Sequence, residues 1–219
     1  PRTIDEIVGQ QHLLAPGSPL RRLASGTTAM SVFLWGPPGV GKTTIASVVS
    51  QSTDAKFVEI SAVTAGVKDV RAVLDRARKD LAKMVRTVLF VDEVHRFSKA
   101  QQDVLLPAVE NRIVTLIAAT TENPSFSVIS PLLSRSLLLT LKPLTDDDID
   151  TLITRALTDE RGLHPTGAER FELSDDARTA IRQFASGDAR RVLTYLEEAA
   201  AGAEASGETT ITTEHGEAA

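Results

Sequence analysis

The chain has 219 residues, with 24 Lys+Arg against 29 Asp+Glu for a formal net charge of −5, a length that holds one large domain or two small ones. The negative balance argues against a non-specific basic coat for nucleic acid while leaving room for a local basic patch. The absence of cysteine excludes a disulfide scaffold, a zinc ribbon and a thiol nucleophile, and no apolar run approaches the ~20 residues of a membrane span.

In chain order, apolar runs alternate with helical patterns, the mark of βαβ units and a largely parallel sheet. Strands are predicted at Ser31–Trp35, Lys56–Ile60, Thr87–Asp92, Ile113–Ala119 and Ser136–Leu141. The clearest helix is Gly66–Met84, where Val67, Val70, Leu74, Ala77, Leu81 and Met84 recur at spacings of three and four and charged residues fill the other face. After Pro143 the texture changes. Thr145, Ser174 and Asp188 have N-cap character ahead of helical patterns, with Val192, Leu193, Leu196, Ala199 and Ala200 as the apolar face of the last. The stretch Gly162–Glu172 reads as a loop, and strand-like alternation returns only at Thr209–Thr213. The expected organisation is an α/β domain over residues 1–143, a small helical domain over 144–205, and a tail or the start of a further element over 206–219. The chain opens on Pro1 rather than Met, which suggests a domain excised from a longer protein.

Gly36-Pro37-Pro38-Gly39-Val40-Gly41-Lys42-Thr43 fits G-x-x-x-x-G-K-[ST] in full, and it lies between a predicted strand and a predicted helix. Glycines let the backbone curl until successive N–H groups face inward and form an anion nest at a helix N-terminus. Lys42 adds a point charge for β- and γ-phosphates, and the Thr43 hydroxyl can join a Mg²⁺ shell. Pro37, Pro38, Gly39, Val40, Gly41, Lys42, Thr43 and Thr44 are therefore the expected ATP-binding residues. The third predicted strand ends in Asp92-Glu93. Open parallel sheets place ligands at the carboxyl ends of their strands. Asp92 would orient Mg²⁺ or its water, and Glu93 would act as general base on the attacking water. His95 is a competing base; its alternative reading is a packed, hydrogen-bonded histidine.

These motifs, with the helical annex, resemble the AAA+ ATPases, a P-loop NTPase fold with a parallel five-stranded sheet sandwiched by helices and followed by a helical lid. Ile4-Asp-Glu-Ile-Val-Gly-Gln-Gln-His-Leu-Leu14, Ser61–Lys68, His95–Gln102 and above all Ala118-Ala-Thr-Thr-Glu-Asn-Pro-Ser-Phe126 are similar to the RarA/MgsA group, bacterial relatives of the Werner-helicase-interacting ATPase. The resemblance implies that Ile7, Val8 and Gly9 wall the adenine. It makes Thr121 the first sensor, with Thr120 competing, Arg135 the arginine finger offered to a neighbouring subunit, and Arg190 the second sensor on the lid. Leu137 stands where many relatives carry a second basic residue, so the resemblance does not extend to a second basic contact across that interface.

The implied function is ATP hydrolysis with Mg²⁺ in a cytoplasmic, nucleoid-associated protein of fork maintenance. The implied partners are further copies of the chain, single-stranded or forked DNA, and single-strand-binding or other replisome proteins. DNA-contact candidates are Val63–Lys68 and Arg96–Lys99, against the alternative of a solvated surface. Two other readings stand beside it: a nucleotide-gated assembly scaffold with little turnover, and a clamp-loader or branch-migration motor subunit.

Overall fold

Five parallel strands in the order β2-β3-β4-β1-β5 carry the first part of the chain: β1 Ser31–Trp35, β2 Lys56–Ser61, β3 Thr87–Asp92, β4 Thr115–Thr120 and β5 Ser136–Thr140. The computed structural model describes residues 1–28, 30–164 and 170–217. The helices, in chain order, are α1 Gln11–Leu14, α2 Pro19–Ala24, α3 Lys42–Ser52, α4 Val67–Ala82, α5 Lys99–Glu110, α6 Pro124–Ser127, α7 Ser130–Leu133, α8 Asp146–Thr158, α9 Asp175–Ala185, α10 Ala189–Ala205 and α11 Thr213–Glu217. Two short strands, β6 Glu172–Leu173 and β7 Thr210–Ile211, pair in parallel. No helix among the described residues is long and apolar enough to cross a membrane.

The chain divides into two units, one of Pro1–Pro37 with Gly41–Lys142 and one of Pro38–Val40 with Pro143–Ala219. In the first, β1, β3 and β4 are buried nearly throughout. That burial explains their unbroken apolar runs, because a parallel strand covered on both faces has no solvent side to make polar. Phe33, Leu89, Val91, Leu116 and Ala118 pack with Val70 and Leu74 of α4 and Leu105 of α5, and each fully buried large side chain contributes roughly 1.5–3 kcal/mol.

Helix α4 stops two residues short of its expected end. Met84 takes a left-handed φ of 63° and is 91% exposed, so it does not belong to the apolar stripe. The fourth strand begins at Thr115 rather than Ile113, because the N–H groups of Ile113 and Val114 both donate to Ala108 O and are still closing the turn after α5.

In the second unit Thr145 and Asp148 form a reciprocal capping box, each side chain accepting from the other's backbone N–H at 3.2 and 2.9 Å. Ser174 caps α9 through Ala177 N. Ile149, Ile153, Phe171, Ile181, Val192 and Leu196 form the core. Leu193, expected on the apolar face, is 45% exposed; one residue on from Val192, it is turned ~100° around the helix from the buried stripe. Within residues 206–217, expected as a tail or the start of a further element, Ile211 is fully buried and β7 pairs with β6. Part of the predicted Gly162–Glu172 loop, residues 165–169, lies outside the described residues.

Candidate functional site

Strand β1 ends at Trp35 and the chain turns through Gly36–Gly41 into α3. Gly39 and Gly41 take φ values of +72° and +102°, conformations glycine adopts without a Cβ penalty. Gly36 passes so close to the exit of β5 that a Cβ there would come 2.9 Å from Leu141 Cβ and Leu141 O. Gly41 occupies the N-cap position of α3 and brings no side chain to it. The N–H groups of the first turn therefore point into the loop without a side-chain cap, at the positive end of an 11-residue helix. Lys42 Nζ lies along the same loop and donates to Gly36 O at 2.6 Å and Pro37 O at 2.8 Å. Thr43 and Thr44 are half-buried in this turn. Main-chain donors, helix pole and ammonium together suit a polyphosphate anion.

Within the second unit the loop tip meets the start of α10. Ala189 N donates to Gly39 O at 2.7 Å, and the Asp188 carboxylate fills the space a Cβ on Gly39 would need. Asp188 caps α10, its Oδ1 accepting from Arg190 N at 2.9 Å and Arg191 N at 3.3 Å. The Arg190 side chain is exposed in that first turn.

The acid pair sits at the exit of β3. Asp92 is half-buried and its Oδ1 accepts from Glu93 N at 3.0 Å. Glu93 is exposed and left-handed, with φ 52° and ψ 46°. A non-glycine residue pays ~1–2 kcal/mol for that conformation, and such outliers gather at working sites. Strand β4 lies between β3 and β1, so the exits of β3 and β1 are ~10 Å apart at ordinary strand spacing.

Thr120 ends β4 opposite Trp35. It is 1% exposed, with its hydroxyl 3.0 Å from His95 Nδ1 and accepting from Glu122 N at 3.0 Å. His95 is thus packed and hydrogen-bonded, and Thr121 is the exposed threonine of the pair. No group of three or more His, Cys, Asp or Glu arranged to hold a metal exists among the described residues. Thr43 and Asp92 carry oxygens of the kind that could serve a hard cation such as Mg²⁺, which takes few protein ligands.

Ile7 and Gly9 are buried and Val8 is half-buried. The next residue, Gln10, escaped the sequence reading. Its Nε2 donates to Lys142 O at 2.7 Å and its Oε1 accepts from Lys142 N at 2.9 Å. No local pattern signals a bond to a residue 132 positions away. The segments Val63–Lys68 and Arg96–Lys99 are exposed in large part, and Gln101 Nε2, reaching Ala65 O at 2.6 Å, ties the two regions together.

Arg135 lies elsewhere. It precedes β5, whose first residue Ser136 pairs with Ser31 at the entry of β1, whereas the loop leaves from the exit beside Thr140. Its guanidinium donates to Pro131 O at 2.8 Å and pairs with Glu110 at 3.2 Å, beside a cavity of about 510 Å³ that Arg112 also lines.

Residues 32–143 match the AAA family, described as the ATPase family associated with various cellular activities. Over 208 residues the chain is 58% identical to an uncharacterized AAA domain-containing protein of Mycobacterium tuberculosis, covering 95% of this chain and 45% of that protein. It is 48% identical over 198 residues to replication-associated recombination protein A of Escherichia coli K12, covering 90% and 44%, and 40% identical over 197 residues to ATPase WRNIP1 of Dictyostelium discoideum, covering 90% and 22%. The RuvB Holliday junction branch migration motor of Thermotoga maritima superposes with a TM-score of 0.75 at 26% identity, over 100% of this chain and 70% of that one. The chain spans less than half the length of these curated relatives. The matched region takes in the strand that feeds the phosphate loop, the loop itself and the strand that presents the two acids, and the chain belongs to the AAA family of ATPases.

Proposed function

We propose that this chain is the ATP-hydrolysing core of a protein that maintains or remodels DNA at stalled replication forks, working as an assembly of identical subunits. The observation that carries the ATP chemistry is the helix pole of α3, which has no side-chain cap and stands with Lys42 on the strand edge that also presents Asp92 and Glu93. The DNA-directed role rests on relatives named replication-associated recombination protein A, 48% identical to this chain in Escherichia coli K12; the relative named ATPase WRNIP1, 40% identical, supports the ATPase part alone.

In this reading the amides of Pro37–Thr44, proline nitrogens excepted, and the Lys42 ammonium hold the phosphates. Ile7, Val8 and Gly9 wall the adenine. Thr43 and Asp92 would hold Mg²⁺, which would supply charge neutralisation at the phosphates when bound. Glu93 accepts a proton from the water that attacks the γ-phosphorus as the bond to the bridging oxygen breaks, giving ADP and phosphate. Thr121 orients that water, while Thr120, buried against His95, fixes the strand tip. Residues 144–205 act as the lid, and Arg190 is its second sensor. A cation in the first turn of a helix is disfavoured by ~0.3–1 kcal/mol, and Arg190 stands in the first turn of α10.

Arg135 serves a neighbouring subunit. Five strand steps separate Ser31 from Gly36, ~17 Å at 3.3 Å per residue, a span no arginine side chain bridges.

The test is ATP turnover by the full-length protein with single-stranded, forked and gapped DNA and without DNA. Saturable Mg²⁺-dependent hydrolysis that changes with DNA structure supports the reading. Absence of ATP uptake overturns it, and hydrolysis indifferent to every DNA removes the fork-directed part.

A further inference from the structure

We infer that Gln10 is a positioning residue that sets the spacing between the base slot and the phosphate loop, and so governs affinity for a nucleoside triphosphate but not for a bare polyphosphate. The inference rests on the reading of Ile7, Val8 and Gly9 as the adenine wall.

Three observations converge on it. Gln10 is 5% exposed and holds a left-handed backbone, φ 58° and ψ 30°, which costs free energy in a residue with a Cβ and persists only where its surroundings demand it. It stands in the N-cap position of α1 yet makes no cap there. Its amide instead bonds both ways to the main chain of Lys142, one group donating and the other accepting.

The place of that bond gives it meaning. Lys142 follows Leu141, whose N–H donates to Trp35 O at 2.7 Å and whose Cβ and carbonyl abut Gly36 at the root of the phosphate loop. The segment proposed to wall the base and the loop proposed to hold the phosphates are therefore referenced to consecutive residues of one strand exit. His12, bonded through Nε2 to Thr140 O at 2.8 Å, and Arg21, paired with Asp5 at 2.8 Å, already staple the N-terminal segment down. The Gln10 bonds add register, adjacent to Gly9. A ligand that spans base slot and loop reads that register; a ligand confined to the loop does not.

Calorimetric titration of the full-length protein with a non-hydrolysable ATP analogue and with inorganic tripolyphosphate, both with Mg²⁺, tests this. Gln10→Met keeps the side-chain length and removes both bonds. It is expected to weaken the analogue about tenfold and tripolyphosphate less than about twofold. Gln10→Glu, which keeps the acceptor for Lys142 N and loses the donor, is expected to fall between, and it provides the reading if the methionine variant does not fold. Parallel losses for both ligands, or no loss for either, overturn the inference. If the unmodified protein binds tripolyphosphate as tightly as the analogue, the adenine wall itself falls and takes the inference with it. If it binds neither, the nucleotide reading as a whole fails, a result distinct from an unselective Gln10 variant.

Discussion

Arginine 135 offers the sharpest test of how the site is completed. It stands at the entry of β5, one sheet length from the loop that leaves β1, so under the proposed assembly Arg135→Ala is expected to leave nucleotide binding by its own subunit intact and to remove a charge from the neighbour's transition state. A finger of this kind is worth ~10³–10⁵ in rate, or roughly 4–7 kcal/mol of barrier. Its resident partner does not prevent this. The Arg135–Glu110 pair, at 3.2 Å, leaves 46% and 39% of the two side chains exposed, and an exposed pair of that kind contributes ~0–1 kcal/mol, far less than the transition-state interaction gains. The assay mixes full-length Arg135→Ala with full-length Lys42→Ala, each inactive alone. In a head-to-tail assembly, random mixing sets an intact loop against an intact finger at about one interface in four, so about a quarter of the normal turnover returns. If the mixture stays as inactive as its components while both still assemble, the finger does not act in trans and the geometric argument is wrong.

Glu93→Gln keeps the strand exit and the phosphate loop, so ATP binding persists while turnover falls by ~10²–10⁴-fold; a near-normal single-turnover rate removes Glu93 as the base. Thr87 Oγ1 is buried without a hydrogen-bond partner among the described residues, and Thr87→Val is expected to stabilise by about 1 kcal/mol, a rise in melting temperature of about 2–4 °C; a fall refutes the reading. The Lys56 ammonium, hydrogen-bonded to Asp80 at 3.0 Å, holds that carboxyl below its ordinary 3.8 against the opposing effect of its partial burial, and Arg76 adds to the lowering. The folded state therefore binds this proton later than the unfolded one. Its contribution is complete above the ordinary value and is lost as the pH drops through the folded-state value. Denaturant unfolding as the pH falls below about 5 is accordingly less pH-dependent in Asp80→Asn; an unchanged slope there rules the pair out as a source of acid sensitivity.

Features set within a few residues were legible in the sequence. The phosphate loop, the buried parallel strands and the caps Thr145, Ser174 and Asp188 depend on local backbone preference and on whether a strand has a solvent face, and the structure carries all of them. Nearest-neighbour pattern failed where packing decides between equivalent choices. Met84 and Leu193 fit an apolar spacing, yet one falls beyond the end of its helix and the other off its buried stripe. Only the tertiary structure set β4 between β3 and β1, turned Glu93 left-handed, and closed the bond from Gln10 to Lys142. The separation of Arg135 from its own phosphate loop likewise follows from the β1–β5 register. Parallel pairing and long-range hydrogen bonds join residues whose separation along the chain carries no local trace, so the chemistry available could be read from residue types while their arrangement emerged only with the folded sheet.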